Sequence, residues 1–209
     1  MAKDTKKRIL DAAETLFAEQ GYAQTSMRAI TARADVNLAS VNYHFGSKKN
    51  LIQAVLKRYF DVLMPQIDDV LNSTGTETGA DGVESLLLSL VPPMMTLSDI
   101  RPEGTALFVQ LLGRGYNETQ GHLRRFIMHD YGSTVAKLMM ALHACLPHVE
   151  DDELFWRLHF AIGSFVFSMA SSRALTEIAE SDFNQKVDIK AVILHLVPFV
   201  SQGIAGRQV

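Results

Sequence analysis

Residues 26–45, SMRAITARADVNLASVNYHF, constrain this chain more than any other stretch, because two short apolar periodicities flank a gap that only a turn can fill. Met27, Ile30 and Ala34 recur at i, i+3 and i+7, which gives a first helix one inward face. Thr25 or Ser26 is placed to cap that helix, since a hydroxyl there accepts a hydrogen bond from an orphan backbone N–H. Ala34-Asp35-Val36 makes the turn, and Asn37 is a good cap for a second helix. In that helix Val41 and Phe45 share the inward face with Leu38 beside them, while Ala39, Ser40, Asn42 and Tyr43 point elsewhere.

Those outward residues are small, amide-bearing or hydroxylated, with few charges. They suit a helix lying in a major groove, where Asn reads adenine and Ala or Ser rests against a thymine methyl. Tyr43, His44 and Lys48 can donate to phosphates, which positions the helix without reading sequence. Ser47 is a candidate cap for the next helix, whose first N–H groups would hold a phosphate as well. The plainer alternative is a helical hairpin whose Tyr and His merely pack.

Gly21-Tyr22, Thr25-Ser26-Met27-Arg28, Ile30, Ala34, Val36 and the run Val41-Asn42-Tyr43-His44-Phe45-Gly46-Ser47-Lys48 resemble the DNA-binding domain of TetR-family transcriptional regulators. The resemblance runs from about Lys6 to Tyr59. The candidate DNA contacts are therefore Met27, Arg28, Asn37, Leu38, Ala39, Ser40, Asn42, Tyr43, His44 and Lys48. One departure stands out: the family usually has glycine where this chain has Asp35. Aspartate tolerates the left-handed conformation better than most residues, so the turn survives in a less relaxed form.

The net charge of −3 would not by itself suggest a nucleic-acid partner, but its distribution does. Residues 1–60 hold ten Lys/Arg against five Asp/Glu, leaving ten against eighteen in the remainder. A basic first third on an acidic body is the electrostatic footprint of a DNA-binding head. Lys3, Lys6, Lys7 and Arg8 are either a solvated charged end or phosphate contacts across the minor groove. Cys145 is the single cysteine, so no intrachain disulfide is possible and a reducing, cytoplasmic setting is expected. The N-terminus lacks the apolar run of a signal peptide. Leu158–Ala170 is too short for the roughly 20 residues that span a bilayer, so no membrane partner is expected.

The expected fold is all-α: a three-helix helix-turn-helix head over residues 1–64, with its reader at 26–45, and a helical-bundle ligand and dimerisation body over 65–209. Ile9, Leu10, Ala13, Leu16 and Phe17 mark the first helix, stopped by Gly21. Leu51 through Leu63 mark a connecting helix that Pro65 should kink or end. Asn72–Gly82 reads as a loop. In the body, Pro92-Pro93 should interrupt Val83–Leu97, and Gly113-Arg114-Gly115 should break the chain after a helix over 103–112. Asn117–Leu146, a helix from Asp151 or Asp152 to about Glu180, and Val187–Gly203 complete the set.

The penultimate helix is apolar nearly all round, so it needs cover on several sides. A second copy would supply it, and a two-fold reader also demands a homodimer, since such proteins bind half-sites ~34–36 Å apart or multiples of that. The expected interface is Phe160, Ser164, Phe167, Ser171, Val192, His195, Leu196 and Phe199; a monomer with a generous core is the alternative. An apolar pocket with cationic groups at its mouth is expected from Phe108, Leu112, Arg114, His122, Arg125, Phe126, Met139, Trp156 and His159. An arginine there could fork onto a carboxylate or phosphate.

Gln120-Gly121-His122-Leu123-Arg124-Arg125, Glu153–Phe160 and Phe167-Ser168-Met169 resemble the body of PsrA-type regulators, a fatty-acid-responsive group within that family. The resemblance implies a repressor of fatty-acid degradation genes, released by long-chain fatty acid or acyl-CoA. It carries no ligand residues. A TetR-type repressor of efflux or stress genes answering another hydrophobic ligand is the alternative. An enzyme is not expected: the chain has no G-x-x-x-x-G-K-[ST] loop and no G-x-S-x-G elbow, and Gly113-x-Gly115 lacks a following glycine. No cofactor is expected. His143, Cys145 and His148 could suggest a metal, but Pro147 interrupts them and no fourth ligand is near, so no metal is expected either.

Overall fold

The computed structural model describes residues 2–73, 75, 77–117 and 121–206, and among them every regular element is a helix. Gln120, part of one resemblance above, lies outside the described residues. The elements are α1 (Ala2–Gln24), α2 (Met27–Ala34), α3 (Leu38–Phe45), α4 (Lys48–Ser73), α5 (Gly79–Met95), a 3-10 turn (Thr96–Asp99), α6 (Gly104–Asn117), α7 (Gly121–Cys145), α8 (Asp151–Ala170), α9 (Ser172–Phe183) and α10 (Ile189–Ala205).

Helices of eight residues are too short to persist alone, where roughly 12–15 are marginal. α2 and α3 hold their shape because Ile30, Ala34, Val41 and Phe45 are buried against Ile9, Ala13 and Phe17 of α1 and Leu51 and Val55 of α4. Each fully buried large side chain contributes roughly 1.5–3 kcal/mol. The turn between α2 and α3 takes the expected form: Asp35 is left-handed at φ 50°, ψ 55°. Arg8 steadies it, one guanidinium nitrogen donating to the Asp35 carbonyl at 2.7 Å and to its carboxylate at 3.0 Å. Gly21 breaks the end of α1 at φ 83°, ψ 167°, a conformation that suits glycine.

The body wraps α4. α5 packs on α10, α10 on α8, α8 on α6, and α7 along α4, while α6 reaches back to α1. One buried cluster is continuous from the head through α4 into the body, and a second surrounds Leu86, Leu142, Cys145 and Leu154 at the far end.

Three of the expected breaks do not end their helices, and one break appears where a continuous helix is expected. α4 passes Pro65 and continues to Ser73, crossing the expected boundary at 64–65. A proline removes one helix bond, but Leu63 is buried and Ile67 packs beside it on the same core. α5 likewise runs through Pro92-Pro93, with Val91 and Pro93 buried. α6 runs through Gly113 because glycine is needed there for close approach: a Cβ would lie 2.3 Å from Cγ1 of Val166 on α8. Conversely, the expected single helix to Glu180 is two, since Ser171 leaves helical geometry at φ −100°, ψ 7°.

Candidate nucleic-acid interface

The reader is built by its caps. Ser26 Oγ accepts from the Ala29 N–H at 3.0 Å and begins α2. Thr25, the other cap candidate, is buried instead, its hydroxyl donating to the Gly21 carbonyl at 2.7 Å and the Leu16 carbonyl at 3.1 Å. Asn37 Oδ1 accepts from both the Ser40 N–H at 2.8 Å and the Ser40 hydroxyl at 2.9 Å. Its acceptor is thus engaged in holding α3, and α3 starts where the sequence places it. Ser47 accepts from the Asn50 N–H at 3.1 Å and caps α4.

With Val41 and Phe45 turned inward, α3 presents Leu38, Ala39, Asn42 and Tyr43 to solvent, Tyr43 at 84% exposure. Leu38, read as lying beside the inward face, is exposed. Tyr43 stands edge-on to His44, with ring centroids 5.1 Å apart. Arg28, next to Met27 in the first turn of α2, is exposed. Lys48 donates to the Ala23 carbonyl at 3.2 Å and sits 4.5 Å from the Tyr22 ring centre. An ammonium has three donors, so this contact leaves capacity for a phosphate while fixing where it is offered. Of the basic N-terminal residues, Lys7 pairs with Asp11 at 2.7 Å and Arg8 with Asp35, while Lys6 is exposed. The Lys3 side chain is outside the described residues.

The head is locked onto the body by residues that the sequence reading missed. Glu14 of α1 is fully buried, and its carboxylate accepts from Tyr59 Oη at 2.7 Å, Arg101 at 2.7 Å and Arg58 at 2.9 Å. Burial, and then the neighbouring carboxylate, push the Tyr59 phenol well above its ordinary range, so it stays a donor. Arg114, expected at a pocket mouth, donates instead to the Ala18 carbonyl at 2.7 Å and the Glu19 carbonyl at 2.8 Å, at the end of α1. A guanidinium suits those carbonyls, which carry the negative end of the helix dipole.

The nine pocket candidates are not brought together. Phe108 is buried between Tyr59 and Phe60, its ring 5.3 Å and 5.2 Å from theirs, with Leu112 partly buried on the same core. Met139 belongs to the far cluster. Trp156 is exposed on α8, and His159 lies against Phe155 on that helix. His122, Arg125 and Phe126 do meet, lining a cleft of about 560 Å³ between α7 and α4. The interface candidates Phe160, Phe167 and Phe199 are 63–69% exposed, and His195 is exposed too. Ser164, Ser171, Val192 and Leu196 are partly buried among them on α8 and α10.

Comparison with known proteins agrees with this geometry. Residues 9–55 match the family described as bacterial regulatory proteins, tetR family, and residues 89–203 match the tetracyclin repressor-like C-terminal domain. The chain belongs to the TetR family. Among relatives, it is 31% identical over 106 residues to IcaR of Staphylococcus aureus, the negative transcriptional regulator of the biofilm operon icaADBC, covering 51% of this chain and 53% of that one. It is 25% identical over 91 residues, 44% of each chain, to the probable transcriptional regulator YttP of Bacillus subtilis. The chain thus spans about half the length of the curated relatives it matches. The fold is that of a TetR-like regulator from Rhodococcus sp. RHA1, with a TM-score of 0.57, 17% identity and 97% of each chain covered. Among the described residues no single helix is long and apolar enough to cross a membrane.

Proposed function

We propose that this protein is a ligand-responsive repressor that binds a palindromic operator as a homodimer. The observation that carries the reading is α3: eight residues, capped at a fixed register, exposing an uncharged polar face with Tyr43 standing clear of it. Ala39, Ser40 and Asn42 address base edges, whereas Tyr43, His44, Lys48 and Arg28 hold phosphates. Met27, Asn37 and Leu38 complete the docking surface by position and shape. Residues 1–64 act as the head and 65–209 as the body, joined rigidly by α4, which runs through both.

The dimer forms through the outer faces of α8 and α10, where Phe160, Phe167 and Phe199 are uncovered in a single chain. Large exposed apolar patches of this kind mark interaction surfaces. Pairing there sets the two readers at a separation that a double helix accepts.

The effector, on the resemblance of residues 120–125 and 153–160 to PsrA-type regulators, is a long-chain fatty acid or its acyl-CoA, and the controlled genes are those of fatty-acid degradation. To lift repression the ligand must prefer the arrangement that fits DNA poorly; tight binding to both arrangements would shift nothing. The test is a mobility-shift titration of the protein on its own promoter region with each ligand. Release by micromolar fatty acid or acyl-CoA is expected, and no release by either rejects the effector.

A further inference from the structure

The cleft between the first turns of α4 and the N-terminal half of α7 has a composition that the DNA-reading role does not use. Lys49 and Lys57 line it from α4, and His122, Arg125 and Phe126 from α7. Lys57 is already paired with Asp61 at 2.8 Å, and the rim carboxylate of Asp130 is engaged by His129 at 2.7 Å. Among the described residues, Lys49 and Arg125 have no anionic partner. Nε2 of His122 is enclosed and has no hydrogen-bond partner among the described residues. Burial, and then the charges of Lys49 and Arg125, lower its proton affinity. Two cations without an anionic partner among the described residues thus line the same cleft as an imidazole, beside the apolar ring of Phe126.

We propose that this cleft is a binding site for a small-molecule anion, a carboxylate or phosphate group held between Lys49 and Arg125 with His122 beside them. Its volume lies within the usual range for ligand sites, roughly 300–1,000 Å³. Lys49 is on the first turn of α4, immediately after the reader, and Arg125 is on the body, so a bound anion ties the two together. The ring of Tyr22, whose centroid lies 5.5 Å from that of His122, extends the link into the head. The proposal deepens the effector reading by giving an anionic ligand a place for its charged end, but it does not need that ligand to be acyl.

The test is calorimetric titration of the full chain, at low salt, with pyrophosphate, coenzyme A and octanoate separately. Saturable binding of at least one is expected, weakened about tenfold or more in both Arg125→Ala and Lys49→Ala, as loss of a charge-assisted hydrogen bond requires. The ligand that binds names the source of the charge. Binding should also move the His122 C2 proton resonance toward its protonated position. No saturable binding by any of the three, or wild-type affinity in Arg125→Ala, overturns the site. So does a cleft that serves only DNA, seen as Arg125→Ala weakening duplex binding while no small anion binds. Failure of fatty acid to release operator, with pyrophosphate still bound, would reject the effector and leave the cleft standing.

Discussion

Glu14, on the first helix of the head, and Arg101, in the turn that leads into α6, form a buried ion pair across 2.7 Å. The carboxylate is fully enclosed and the guanidinium side chain 30% exposed. The pair joins the head to the body through a charge that neither side can lose cheaply. Removing one partner of a buried pair costs about 3–5 kcal/mol, because the other charge stays behind. We therefore expect Glu14→Gln to lower stability by roughly that amount in urea unfolding. In a double-mutant cycle with Arg101→Met, the coupling should exceed about 0.5 kcal/mol; additivity within that limit would show that the two are energetically independent.

The contact of Gly113 with Val166 makes a second, purely steric prediction. A methyl at 113 would meet Cγ1 of Val166 at 2.3 Å, so Gly113→Ala should destabilise by about 1–3 kcal/mol despite its better helix propensity. Shortening the opposing side chain in Gly113→Ala/Val166→Ala should recover much of the loss. A more stable single variant in thermal denaturation would mean that α6 and α8 do not approach as described.

The two roles assigned along α3 separate in binding assays. Tyr43→Phe removes an uncharged phosphate donor and should weaken all duplexes about equally, leaving the dependence of affinity on salt nearly unchanged because no charge is lost. Asn42→Ala should instead relax preference at one base pair, by about 1–3 kcal/mol. If Tyr43→Phe changed sequence choice and left affinity intact, the division would be reversed.

The exposed aromatics of α8 and α10 make a prediction about assembly. Phe160→Glu or Phe199→Glu places a charge in what we infer to be the centre of a two-fold interface. Light scattering should show a dimer for the parent chain and a monomer for either variant, with retained helical content by circular dichroism. A parent chain that runs as a monomer at micromolar concentration would remove the basis for a palindromic site.

Much of the head was legible because short-range chemistry decides it. The period of Met27, Ile30 and Ala34, the cap at Asn37 and the left-handed Asp35 are all local, and the structure repeats them. The body was legible as helices but not as helix ends. Pro65, Pro92-Pro93 and Gly113 read as punctuation, and in each case a packed neighbour overrides the local signal. Ser171 breaks a helix without any such signal. Glu14 was visible in principle: with Leu10 and Phe17 it falls on the apolar stripe of α1, where a charge needs a buried partner. Its partners, 45 and 87 residues further along, are set by tertiary structure. Arg114 was read as a ligand group for the same reason, since nothing local shows that it closes the end of α1.

The measurement that tests the account most directly is hydroxyl-radical footprinting of the purified chain on DNA from its own promoter. The account predicts one discrete protected site with two-fold symmetry, its halves separated by whole helical turns of ~34–36 Å. Uniform protection along the fragment, or none, would contradict it.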